Sequence, residues 1–331
     1  MHELQVTMLG PSGVGKTTLL TAMYDKFEDN IGSTDLQLTP DDDTSSILQD
    51  YLVDLKSLTN VYEAKGKVGI EGTEAVAGPE SLRSFVFGLG KKGKAPSLQI
   101  SFRDYPGQYH TTKASPEEKK FVKELLSQSA VVLIAIDAPA LMEKNGKYHD
   151  EINRPDQIKD IFKDSYKELD SPRLVIFAPV KCEKYLKNEK TTQELLQRIK
   201  EGYKRLISHF DETESLNRHI ASVITPVQTV GSVVFSRLEI DDNNNIHFIF
   251  RKISHDATYN PQDSEQPLRY LLQFLLAIHL KQRQDSSILF NFLRNWLKLD
   301  NHLKVAVKEF AKGCKTSNGF EVIRGENLLK I

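Results

Sequence analysis

The first apolar stretch, residues 4–9, runs into a glycine-rich turn, and behind that turn Leu19, Leu20, Met23 and Phe27 recur at helical spacing. A buried strand followed by a helix is predicted. Three further runs, 130–136, 174–180 and 220–226, are continuous and rich in Val and Ile, as strands covered on both faces of a parallel sheet must be. Helical patterns lie at 116–126, 155–169 and 192–210. Strands alternating with helices predict an α/β fold, a three-layer and mostly parallel sheet with its ligand at the carboxyl ends of the strands.

Other segments read differently. Residues 82–90 alternate Phe85, Phe87 and Leu89 with smaller side chains, and 98–103 alternate Leu98, Ile100 and Phe102 with Gln99, Ser101 and Arg103. The GKKGKAP between them is turn chemistry, so an antiparallel hairpin is predicted. A second hairpin is predicted at 233–240 and 246–252, around Asp241-Asp242-Asn243-Asn244-Asn245. The least regular region, 28–96, holds a helical pattern at 46–58 and the glycines Gly66, Gly69, Gly72 and Gly78; long excursions of this kind often carry function. Residues 268–280 read as an apolar helix packed on the sheet. From 286 onward Leu289, Phe292, Leu293, Trp296, Leu299 and Leu303 form an amphipathic stripe, expected to pack on its own domain. The expected organisation is one domain over 1–285, with 28–80 as a long insertion and 233–252 as an extra hairpin, and a C-terminal helical extension over 286–331.

The turn after the first strand carries the clearest chemistry. GPSGVGKTT, residues 10–18, satisfies G-x-x-x-x-G-K-[ST] through Gly10, Gly15, Lys16 and Thr17. Its glycines let the loop curl so that backbone N–H groups from Gly10 through Ser12, Gly13, Val14 and Gly15 face phosphate oxygens, reinforced by the positive end of the following helix. Lys16 is placed to reach the β- and γ-phosphates, Thr17 to ligate Mg²⁺, and Thr18 to add a hydroxyl near the α-phosphate.

Composition narrows the classes. The 331 residues carry a net charge of −1 with both signs spread along the chain, which argues against a general nucleic-acid binder. Cys182 and Cys314 are the only cysteines, too few for a disulfide framework or a zinc site. The N-terminus reads directly as a strand, without a leader pattern, and no apolar run approaches membrane-spanning length. A cytoplasmic protein is expected.

Directly after the first hairpin stands Asp104-Tyr105-Pro106-Gly107-Gln108. In a GTPase reading Asp104 belongs to the Mg²⁺ shell through a bound water, the Gly107 N–H meets the γ-phosphate, and Gln108 orients the attacking water. The order of phosphate loop, long loop, hairpin and D-x-x-G-Q resembles the TRAFAC-class (Ras-like) P-loop GTPases over most of residues 1–235, and more narrowly the bacterial double-GTPase and related families. The resemblance implies GTP and GDP as ligands, Mg²⁺ as cofactor, slow intrinsic hydrolysis, and a switch read by a protein effector or regulator. It also implies a switch threonine between 28 and 80, for which Thr34, Thr39 and Thr44 all qualify.

The family pattern is broken at the base. Where typical members carry N-K-x-D, this chain has Val180-Lys181-Cys182-Glu183. By resemblance Lys181 lies along the base and Glu183 accepts its N–H groups, while Val180 offers no polar side chain. Thr225-Pro226-Val227-Gln228-Thr229 occupies the place of the loop whose backbone meets the guanine oxygen. Two other readings compete: an ATPase with Ile134-Ala135-Ile136-Asp137 as its acidic strand, lacking a following glutamate because residue 138 is Ala138, and a nucleotide-responsive binding module with negligible turnover. His110, His219 and His247 carry no assigned role, and Cys182 reads as a packed thiol.

Overall fold

The computed structural model describes residues 2–30, 34–65, 82–104, 114–167, 169–242, 246–282 and 301–331. Its chain begins with strand β1 (His2–Leu9), the phosphate-loop turn and helix α1 (Lys16–Asn30). Strand β2 (Leu36–Pro40), helix α2 (Asp42–Ser57) and the short strand β3 (Glu63–Lys65) occupy the irregular region. The predicted hairpin follows as β4 (Arg83–Lys91) and β5 (Leu98–Asp104), paired antiparallel. Helix α3 (Pro116–Gln128) starts at a capping box in which Ser115 and Glu118 satisfy each other's backbone N–H groups.

The parallel core is then laid down as β6 (Val131–Asp137), β7 (Arg173–Val180) and β8 (Ile220–Ile224), each buried along its whole length. Between β6 and β7 lie α4 (Ala138–Met142), α5 (His149–Ile152) and α6 (Pro155–Ser165). Between β7 and β8 lie α7 (Glu189–Gly202), α8 (Lys204–His209) and α9 (Glu214–His219). The single helix expected over 192–210 is thus two, divided where Gly202 lies against the His149 ring with no room for a Cβ.

The main sheet has eight strands in the order β11-β8-β7-β6-β1-β5-β4-β2, where β11 is Glu321–Arg324. Strands β8 to β5 run parallel, and β4, β2 and β11 run antiparallel to their neighbours. Alternation along β6 shows how the layers form: Val131, Leu133 and Ala135 enter one core with α1, α10 (Gln266–Gln282) and α11 (Asn301–Ala311), while Val132, Ile134 and Ile136 enter the other with α3, α6 and α7. The second predicted hairpin appears as β9 (Val233–Ile240) and β10 (Ile246–Lys252), which β3 extends to a separate three-stranded sheet. A third core joins it to Leu55 of α2 and to Ala140 and Tyr148.

The expected helical extension differs in one respect. Leu303, Val307 and Phe310 of α11 lie in the same core as β1, and the chain returns to pair β11 with β8, so the described part of 286–331 is helix plus edge strand. Four residues with two apolar side chains give too short an alternation to announce a strand. The stripe positions before Leu303 lie outside the described residues. No described helix is long and apolar enough to cross a membrane.

Candidate nucleotide site

Sheet register gathers the predicted residues at one end. Met8 lies opposite Asp104 across β1 and β5, and Asp137 lies opposite Val180 across β6 and β7, so the phosphate loop, both carboxylates and the 180–183 segment emerge together at the carboxyl ends of the parallel strands. The loop turns through positive φ at Gly10, Gly13 and Gly15 (145°, 77° and 113°). Gly10 is fixed by sterics as well, since a Cβ there would stand 3.0 Å from the Ala135 carbonyl oxygen. Val14 is buried and anchors the loop to the core, while Ser12 and Gly13 are exposed at its rim and Thr18 is half-buried.

Lys16 opens α1, and its ammonium donates to the Gly10 carbonyl at 2.9 Å and to that of Pro11 at 3.4 Å. It also lies 3.6 Å from Asp104 Oδ1. The Thr17 hydroxyl donates to Asp104 Oδ2 at 2.9 Å. All three side chains are buried, and Asp104 is fully so. Asp104 Oδ1 accepts no hydrogen bond there. A buried carboxylate oxygen without a donor, beside a hydroxyl and at the mouth of a phosphate loop, fits a hard cation that binds oxygen and retains waters, as Mg²⁺ does. Among the described residues no group of three or more His, Cys, Asp or Glu side chains forms a protein-only metal cage.

Asp137, the acidic residue of the ATPase reading, is engaged elsewhere. Its Oδ1 accepts the Ala140 N–H at 2.9 Å, capping α4, and its Oδ2 pairs with Lys181 at 2.5 Å. Asn153 brackets its backbone, accepting the Asp137 N–H at 2.8 Å and donating to its carbonyl at 3.1 Å. Behind Asn153 sits His149, 3.1 Å away through Nδ1, and burial holds its pKa below the ordinary 6.5. Neither Asn153 nor His149 belongs to a recognisable spacing, so the sequence carries no signal for this support.

Lys181 adopts a positive φ of 60° and spans three units. Besides Asp137, its ammonium lies 3.5 Å from the Gly13 carbonyl oxygen and 5.8 Å from the centre of the Phe250 ring. Glu183 points inward. It is buried, and its Oε1 accepts the N–H groups of Val230 and Gly231 at 3.0 and 3.1 Å. Burial raises its pKa, against the lowering effect of those N–H groups. Gly231, at φ 77°, packs so closely on the Asn260 carbonyl that no side chain fits. Cys182 is a packed thiol donating to the Pro179 carbonyl at 3.2 Å, and burial raises its pKa.

Of the switch threonines, Thr44 is fully buried with its hydroxyl accepting the Val86 N–H at 2.8 Å, a structural tie to the edge of β4. Thr39 is exposed on β2, opposite Gly88. Thr34 lies before β2. Gly107, Gln108 and His110 fall outside the described residues.

No protein-family model matches the sequence, and no curated relative matches it. Solved structures do. A chain of the signal recognition particle receptor SRb-GTP/SRX complex from Chaetomium thermophilum is 19% identical, with 69% of this chain covering 91% of that one at a TM-score of 0.39. The GTP-bound Ski7 GTPase-like domain of S. cerevisiae is 15% identical, with 69% of this chain covering 43% of that one at a TM-score of 0.37. An Era variant from Aquifex aeolicus bound to GDP.AlF4- is 15% identical, with coverages of 85% and 68% and a TM-score of 0.32. By its own strand order, with the antiparallel hairpin beside β1 and the phosphate loop between β1 and α1, the chain is a three-layer α/β fold built on a mostly parallel P-loop NTPase sheet.

Proposed function

We propose that this protein binds GTP and GDP together with Mg²⁺, hydrolyses GTP slowly, and acts as a conformational switch for a protein partner. The observation that carries the reading is the cluster of Lys16, Thr17 and Asp104, in which the phosphate-loop hydroxyl meets Asp104 rather than Asp137. A triphosphate entering the loop takes the Lys16 ammonium from the Gly10 and Pro11 carbonyls, exchanging two neutral acceptors for charged oxygens. Thr17 and Asp104 would hold Mg²⁺, which supplies charge neutralisation at the β- and γ-phosphate oxygens. Gln108 is assigned the orientation of the attacking water.

Slow turnover is the expectation where no arginine is supplied in cis, and the two arginines nearest the switch in sequence are engaged within the protein. Arg83 donates to the Tyr51 hydroxyl at 2.9 Å, and Arg103 bridges Ser84 and Glu3 at 2.6 and 2.7 Å. With both held in these contacts, neither is assigned as a stabiliser of the transferring phosphoryl group. The test is a titration of Mg·GTP on wild type and variants with turnover scored in parallel. Lys16→Ala and Thr17→Ala are expected to weaken binding about a hundredfold or more, ~2.8 kcal/mol. Gln108→Ala is expected to bind normally and hydrolyse more slowly. Binding insensitive to both EDTA and Thr17→Ala would refute the metal-assisted site, and wild-type turnover by the Gln108 variant would refute its role. Hydrogen exchange that differs between the GTP and GDP forms is the expected sign of the switch.

A further inference from the structure

A guanine base is told from other purines by its edge. Its N1–H and 2-amino group need a free carboxylate, and its 6-oxo group needs a free N–H. At the two segments that would supply these, one oxygen of the carboxylate and the backbone donors at 225, 227 and 228 are committed to the protein itself, and the buried Thr225 hydroxyl, which has no partner, can donate or accept and so favours neither base edge. Glu183 Oε1 holds the Val230 and Gly231 N–H groups. The backbone N–H groups of Thr225, Val227 and Gln228 donate to the carbonyls of Phe177, Pro179 and Gln262 at 2.9, 2.8 and 3.1 Å, and Pro226 has none. Cys182 N–H returns to the Val227 carbonyl at 3.3 Å, so the two segments are bonded to each other. Lys181 spends its ammonium on Asp137, leaving its stem as cover for a ring of any identity.

From this arrangement we infer that the site, given the triphosphate function proposed above on which this rests, selects its ligand through phosphate and Mg²⁺ and takes purine nucleoside triphosphates with little regard to base. Glu183 is a structural tie between the 180–183 segment and the turn that leads into β9. Large discrimination arises where a wrong ligand leaves buried polar groups of the site unpaired. Groups already paired within the protein impose no such loss, so GTP, ITP and ATP bind alike.

Competition titrations of the full chain with Mg·GTP, Mg·ITP, Mg·XTP and Mg·ATP test this, on wild type and on Glu183→Gln and Glu183→Ala. Affinities for all four within tenfold of one another, with that pattern kept in Glu183→Gln, are the expected result. Glu183→Ala is expected to lower the melting temperature and to speed amide exchange at 225–231 while leaving the GTP-to-ATP ratio within tenfold. A preference for GTP over ITP or ATP beyond tenfold overturns the inference and leaves the proposed function standing, and so does a swing toward XTP in Glu183→Gln. If none of the triphosphates binds, the proposed function itself fails.

Discussion

His149 shows how one buried side chain links the site to solution conditions. Its imidazole is held neutral by burial, so the unfolded chain takes up a proton before the folded chain does. The contribution of His149 to stability is therefore full above the ordinary value of 6.5 and declines as pH falls from there toward the lower folded pKa. Urea midpoints measured between pH 7.5 and about 5.5 are expected to fall, and His149→Asn to flatten that slope. Residues of the phosphate end were legible in sequence because their spacing is set by chemistry: Lys16, Thr17 and Asp104 meet as the motif and the strand end require. Glu183 was legible only as a carboxylate. Its partners are backbone N–H groups at Val230 and Gly231, far along the chain, and a backbone donor carries no residue identity for a reader to find.

At the scale of elements, legibility follows burial. Strands covered on both faces, β6, β7 and β8, announce themselves as continuous apolar runs. Edge strands β2 and β11 and the three-residue β3 do not, because a short strand packed on one side needs few apolar residues. Helix α2 illustrates the cost of reading residues without their element. Asp41 caps it through the Thr44 N–H at 2.8 Å, and its own N–H and the Thr44 hydroxyl occupy the Val86 carbonyl and N–H at the exposed margin of β4. Thr44 therefore closes a sheet edge, and its buried hydroxyl is taken up by that tie rather than offered to a metal. Replacing Thr44 with Val leaves the Val86 N–H without its partner at a cost of about 1–3 kcal/mol in chemical denaturation. The same variant is expected to bind Mg·GTP as wild type does.

For the molecule as a whole, the C-terminal residues complete the core that the first strand begins. Phe310 of α11 meets Phe27 of α1 edge-on at 5.0 Å between ring centres and carries the Arg269 guanidinium 4.1 Å over its face. Phe310→Ala is expected to cost about 3–5 kcal/mol in a denaturation experiment, a core-sized loss from a residue beyond the expected boundary at 286. Of the predicted stripe only Leu303 lies within this helix, where it is buried, and the partners of the helix lie nearly the full chain away. Charge at the carboxyl end of the sheet has a wider consequence. Strand β1 is flanked by Asp104 and Asp137, and each faces one lysine, Lys16 or Lys181. Two cations and two anions cancel, and a chain whose net charge is −1 adds no attractive field from afar. On the proposed function, a triphosphate would meet two ion pairs that cancel, leaving its charge to the N–H groups of the loop and to the cation it brings with it.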